Sequence, residues 1–87
     1  MELVNIGFGN MLAKDKIVVV LTPESAPIRR IVHDAKEKFD LIDATCGRRT
    51  QAVIITSSRH VVLSALNPSA ISNRIMESNK PDKEENL

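Results

Sequence analysis

The residues able to do chemistry gather around one short stretch, Cys46-Gly47-Arg48-Arg49-Thr50. It lies between the apolar Leu41-Ile42 and the β-branched run Ala52-Val53-Ile54-Ile55-Thr56. Two adjacent guanidinium groups directly after a glycine are poor core material. They are good phosphate ligands, because each offers a planar fork of donors and a charge that does not titrate away. The spacing predicts a hairpin with Gly47 as its turn glycine and Arg48 and Arg49 at its tip. The plainer alternative is a pair of solvated surface arginines.

Other combinations carry less chemistry. Cys46 stands beside two cations that favour thiolate, and a nucleophilic cysteine also needs a base. Nothing in the sequence brings His33 or His60 to it, so Cys46 reads as a cysteine partly buried in a turn. His33, His60 and Cys46 have no metal-ligand spacing. Asp40 and Asp43 fall where a helix gives way to a strand, a place for stopping helices and capping turns. Asp43 is also positioned to reach an arginine across the expected hairpin and orient it. Gly7-Phe8-Gly9 lacks the third glycine of a dinucleotide fingerprint, so Gly7 and Gly9 read as structural glycines permitting positive φ. No catalytic residue, metal or cofactor is expected.

The elements that must position the arginines can be read from apolar periodicity. Residues 2–6 predict a strand ending in the glycine turn, and Ala13-Lys14-Asp15-Lys16 a polar connector. Residues 17–21, Ile-Val-Val-Val-Leu, predict a strand buried on both faces. Thr22 or Ser25 can cap a following helix in which Pro27 is tolerable only in the first turn. Its apolar stripe is Ile28, Ile31, Val32, Ala35 and Phe39. Residues 41–66, with a second tight turn at Ser57-Ser58-Arg59, predict a three-stranded meander. Asn67-Pro68 then opens a short helix carrying Ile71 and Ile75. The order is β-β-α-β-β-β-α: a small α+β domain, mostly antiparallel, with two flanking helices. Residues 1–78 form the domain, and 79–87 read as a disordered polar tail.

Composition narrows the function. An 87-residue chain has room for one domain with a marginal core of its own. Phe8 and Phe39 are its only aromatics, which disfavours a base-stacking platform for single strands. The net charge of +1 divides into +2 over residues 1–79 and −1 over the last eight, so nucleic-acid affinity requires local clustering or many copies. An aliphatic sheet with unpaired edges and one long helix favours self-association. One cysteine, no apolar leader and no long apolar run suit a cytoplasmic protein without a membrane span.

Several segments resemble the RemA family of small bacterial regulators of extracellular-matrix genes. They are Leu3-Val4-Asn5-Ile6-Gly7-Phe8-Gly9-Asn10, Pro23-Glu24-Ser25-Ala26-Pro27-Ile28, Leu41-Ile42-Asp43-Ala44-Thr45 running into Gly47-Arg48-Arg49-Thr50, and Val61-Val62-Leu63-Ser64-Ala65. The likeness covers roughly residues 2–76. It implies a biofilm-matrix type, nucleoid-associated transcriptional regulator without cofactor or obligatory small-molecule ligand. Such a regulator binds double-stranded DNA along the outside of a ring-like homo-oligomer. The resemblance carries DNA contact onto Arg48 and Arg49 and onto Lys16, with Lys14 as a neighbouring cation, and a structural role onto Pro27. The chain departs from the family pattern at Cys46 (usually tyrosine), Gln51 (usually arginine), Lys16 (commonly arginine) and Ser57-Ser58-Arg59 (usually acidic). These departures bear on target sequence and affinity rather than on class. Two other readings remain: an anion or small-molecule sensor built from the Gly-x-Gly turn and the arginines, and a purely structural oligomer binding acidic surfaces.

Overall fold

The computed structural model describes residues 1–78, so the polar tail at 79–87 lies outside the described residues. Among the described residues six strands and two helices follow one another as β1 (Leu3–Asn5), β2 (Met11–Ala13), β3 (Ile17–Leu21), α1 (Ala26–Glu37), β4 (Leu41–Asp43), β5 (Ala52–Thr56), β6 (Val61–Ser64) and α2 (Pro68–Ser78). A single 3-10 turn at Lys14–Lys16 joins β2 to β3. The class is the α+β expected, in two sheets: an antiparallel β1-β2 hairpin and a four-stranded sheet ordered β3-β5-β6-β4.

Pairing corrects three expectations. Within 41–66 only β5 and β6 form a hairpin, while β4 runs parallel to β6 on its other side. The chain from β4 to β5 therefore crosses the end of β6, and the arginines stand on a crossover loop rather than at a hairpin tip. Six strands replace five, because Met11–Ala13 pairs with Leu3–Asn5 through the Gly7–Gly9 turn. Alternation was too brief there to mark a strand. β3 is an edge strand, with Val18 65% exposed beside a register shift between Ile17 and Val19. The strand buried on both faces is β6. Both segments read as continuous apolar runs, and only their place in the sheet separates them.

Each face of the sheet has its own core. On one, α1 lays Ile28, Val32 and Ala35 over Val53, Val61 and Leu63. On the other, Ile71 and Ile75 of α2, together with Val4 and Ile6, cover Ala52, Ile54 and Val62. Ser64, fully buried, donates its hydroxyl to the Ile6 carbonyl at 2.8 Å and accepts the Leu66 N–H at 3.0 Å, so its polar atom is satisfied where the hairpin meets the sheet.

The helix ends follow local chemistry. Ser25 occupies the N-cap position of α1, with Pro27 in the first turn as expected. At its other end the Asp40 N–H returns to the Ala35 carbonyl at 2.8 Å while Phe39 takes φ +63°. That is the Schellman arrangement, with Phe39 in the left-handed position usually given to glycine. It removes Phe39 from the expected stripe and leaves it 94% exposed. Asn67 caps α2, its Oδ1 accepting the Ala70 N–H at 2.8 Å.

Candidate nucleic-acid interface

The arginines leave β4 through a latch. The Asp43 carboxylate accepts the Thr45 hydroxyl at 2.6 Å and the Thr45 N–H at 2.9 Å, and Thr45 is only 2% exposed. These bonds hold the Asp43 carboxyl below its ordinary 3.8, the hydroxyl contributing most, because they stabilise the ionised form. Asp43 thus grips its own loop instead of reaching an arginine. The turn Thr45-Cys46-Gly47-Arg48 closes with the Arg48 N–H on the Thr45 carbonyl at 3.0 Å, with φ +54° at Cys46 and +79° at Gly47. Two successive positive φ values define a type I′ turn and explain the glycine. Cys46 is exposed on it, not partly buried.

The Gly7-Phe8-Gly9 turn lies alongside. The Arg48 guanidinium sits 5.4 Å above the centre of the Phe8 ring, a cation–π contact that gives the side chain a preferred direction. Gly7 and Gly9 have φ +112° and +79°, as structural glycines require. The Gly7 N–H is spent on Asn5 Oδ1 at 2.7 Å and the Asn10 N–H on the Gly7 carbonyl at 3.0 Å. Those two donors are spent within the chain, and the turn supports Arg48 through the Phe8 ring. Arg49 faces an open cleft of about 250 Å³ that it shares with Thr22, Glu24 and Asn67. Gln51 donates to the Ala65 carbonyl at 2.9 Å, so the residue replacing the family's arginine anchors the loop's exit.

Lys14 and Lys16 lie elsewhere. The Ser57 N–H donates to the Lys16 carbonyl at 2.8 Å, which ties Lys16 to the β5-β6 turn. Lys16 and the arginines therefore stand beyond opposite ends of β5, a five-residue strand spanning about 14 Å. Lys14 pairs with Glu2 at 3.2 Å, so its charge is offset within the chain. Among the described residues neither Arg48, Arg49 nor Lys16 forms an ion pair, and all three are exposed. The histidines do not approach Cys46: His60 is hydrogen-bonded to Ser58 at the far end of β6, and His33 lies 3.9 Å from Glu37 on the outer face of α1. No group of three metal-binding side chains occurs among the described residues.

The exposed arginine pair was legible in the sequence, and the Asp43–Thr45 latch is a local bond of the turn-capping kind expected of Asp43. The Phe8 contact, which joins two loops through tertiary geometry, was not. Phe8 carried one signal, as one of only two aromatics in the chain.

Fold and site define a small α+β domain that displays cations on loops at both ends of its central hairpin. The chain belongs to the RemA-like family, described as extracellular matrix regulatory protein A-like, which it matches over residues 3–75. It is 53% identical over 85 residues to a protein of Trichormus variabilis, covering 98% of this chain and 97% of that one. A protein from a Synechococcus species is 57% identical over 75 residues, or 86% of this chain and 84% of its own. One from a Thermoanaerobacter species is 52% identical over 86 residues, or 99% and 88%. Each of the three is named "Putative regulatory protein".

Proposed function

We propose that this chain is a DNA-binding transcriptional regulator that grips the phosphate backbone of duplex DNA as a ring-like homo-oligomer, without catalysis or a cofactor. The observation that carries this reading is the Gly47 turn, a braced loop whose two arginines have no ion-pair partner among the described residues. Family membership and the regulatory names of the relatives support it. No helix among the described residues is long and apolar enough to cross a membrane, which is compatible with action at the nucleoid.

A single protomer offering about three phosphate contacts binds weakly. Repetition is what makes the array strong, at about −0.9 in log K per log salt for each phosphate neutralised. Two features support assembly. The four-stranded sheet ends in two different open edges, β3 and β4, and each carries exposed apolar surface, Val18 at 65% and Ile42 at 49%. Contacts between two unlike surfaces are head-to-tail and close into rings when the rotation permits. Both helices of the described residues pack one face on the sheet, and in this reading specificity comes from DNA shape and curvature over several protomers.

The test is long-duplex binding at two salt concentrations, read beside solution mass. Arg48→Ala/Arg49→Ala is expected to keep its fold and mass and to lose affinity and salt dependence. Full, equally salt-sensitive binding by that variant would exclude the arginine turn as the contact. Stabilisation by phosphorylated metabolites, with no duplex binding, would favour the anion-sensor reading instead.

A further inference from the structure

We propose that Arg59 joins Lys16, itself one of the expected contacts, in a second phosphate-binding point on each protomer, separate from the arginine turn. This rests on the duplex-binding reading above and deepens it: each protomer then holds DNA at two points at least one strand length apart, not through one patch.

Lys16 and Arg59 are distant in sequence and brought together by the β3-β5 pairing. Ile17 pairs with Thr56, the Ser57 N–H donates to the Lys16 carbonyl at 2.8 Å, and Arg59 follows two residues later. Arg59 is exposed at the tip, with φ +71° and its N–H on the Thr56 carbonyl at 2.9 Å. The turn beneath it is tightly bonded. Thr56 Oγ1 lies 2.9 Å from Ser58 Oγ, Ser58 Oγ lies 2.7 Å from His60 Nδ1, and the Thr56 N–H donates to the His60 carbonyl at 3.0 Å. These bonds use the turn's own hydroxyls and leave the guanidinium of Arg59 as its outward group. Neither Arg59 nor Lys16 forms an ion pair among the described residues.

Two acidic residues flank the point along the chain: Asp15, exposed and adjacent in sequence to Lys16, and Asp40, whose carbonyl accepts the Val61 N–H at 3.0 Å next to His60. Neither comes within ion-pair distance of the two cations.

Chemistry assigns the two residues different tasks. A lysine is a point charge, whereas a guanidinium can hold two phosphate oxygens at once. Arg59 thus adds a guanidinium at the end of the sheet where Lys16 stands. Because both points lie beyond the ends of β5, they are at least its span of about 14 Å apart and meet separate phosphates.

The test uses the full chain and a fluorescent duplex titrated between about 50 and 200 mM salt. Arg59→Asn removes the charge while tolerating the left-handed backbone, and Arg59→Lys keeps it. Arg30→Ala, on the exposed face of α1, is the control. Arg59→Asn is expected to lower the salt slope by about 0.9 for each bound protomer at unchanged solution mass. Arg59→Lys should retain most of the slope, and Arg30→Ala all of it. If Arg59→Asn keeps the wild-type slope while Arg48→Ala/Arg49→Ala lowers it, the second point does not exist and the duplex reading stands. A fall in solution mass for Arg59→Asn overturns the proposal by making Arg59 an assembly residue. A wild-type protein that binds no duplex at any salt removes both readings.

Discussion

Replacing Asp43 with alanine tests whether the latch stiffens the arginine loop. The substitution leaves two Thr45 donors, the hydroxyl and the N–H, without the partner they have at 2.6 and 2.9 Å. Thr45 itself is 2% exposed. A buried donor left unpaired costs roughly 1–3 kcal/mol. The carboxylate lies at the surface, so water recovers part of each loss and the expected destabilisation is about 2 kcal/mol for the pair. For a domain of this size that is about 8–16 °C in Tm. The pH dependence is the sharper signature. The folded carboxyl titrates below its ordinary 3.8, so its contribution is complete above that value and disappears as pH falls through the folded value. Urea unfolding of wild type and Asp43→Ala should therefore differ most near neutrality, with the gap closing in acid below about pH 4. Asp43→Asn, which keeps an acceptor and loses the charge, should fall between them and respond less to acid. A gap that stays constant or widens in acid would refute the reasoning, since the ionised acceptor would then not be what holds Thr45.

Three further outcomes follow from particular contacts. Ile71→Ala empties a fully buried site under the sheet and should cost about 3 kcal/mol by denaturant titration; a loss under 1 kcal/mol would mean the α2 face collapses around it. Phe39→Gly should stabilise the protein by about 0.5–1 kcal/mol, since relief of φ +63° in a 94% exposed side chain outweighs the added chain entropy. A lower Tm would show that the exposed ring is covered in the assembly. Phe8→Leu keeps an apolar group beneath Arg48 and removes the π face 5.4 Å away, so duplex affinity should fall about two- to fivefold per contacting protomer at unchanged solution mass. Unchanged affinity would mean that the Arg48 direction is set elsewhere.

The sequence alone determined the element types and most of their limits, because those depend on short-range chemistry. Pro27 in a first helical turn, Asn67-Pro68 opening α2 and the glycines at positive φ are each decided within a few residues of the chain. Alternation and run length likewise marked five of the six strands, and the arginine pair was conspicuous as two adjacent cations after a turn glycine. Strand neighbours were not legible. Ile17–Leu21 and Val61–Ser64 are similar apolar runs, yet one lies at an edge and the other is buried on both faces, because burial depends on what pairs on either side. The same reason moved the arginines from a hairpin tip to a crossover loop: β4 pairs with β6 and not with β5. The antiparallel β3-β5 pairing set Lys16 beyond the end of β5 opposite to Arg48 and Arg49. What tertiary structure decided was proximity between distant segments, the Arg48 guanidinium over Phe8 and Arg59 beside Lys16, and pairwise register across a sheet has no counterpart in local composition.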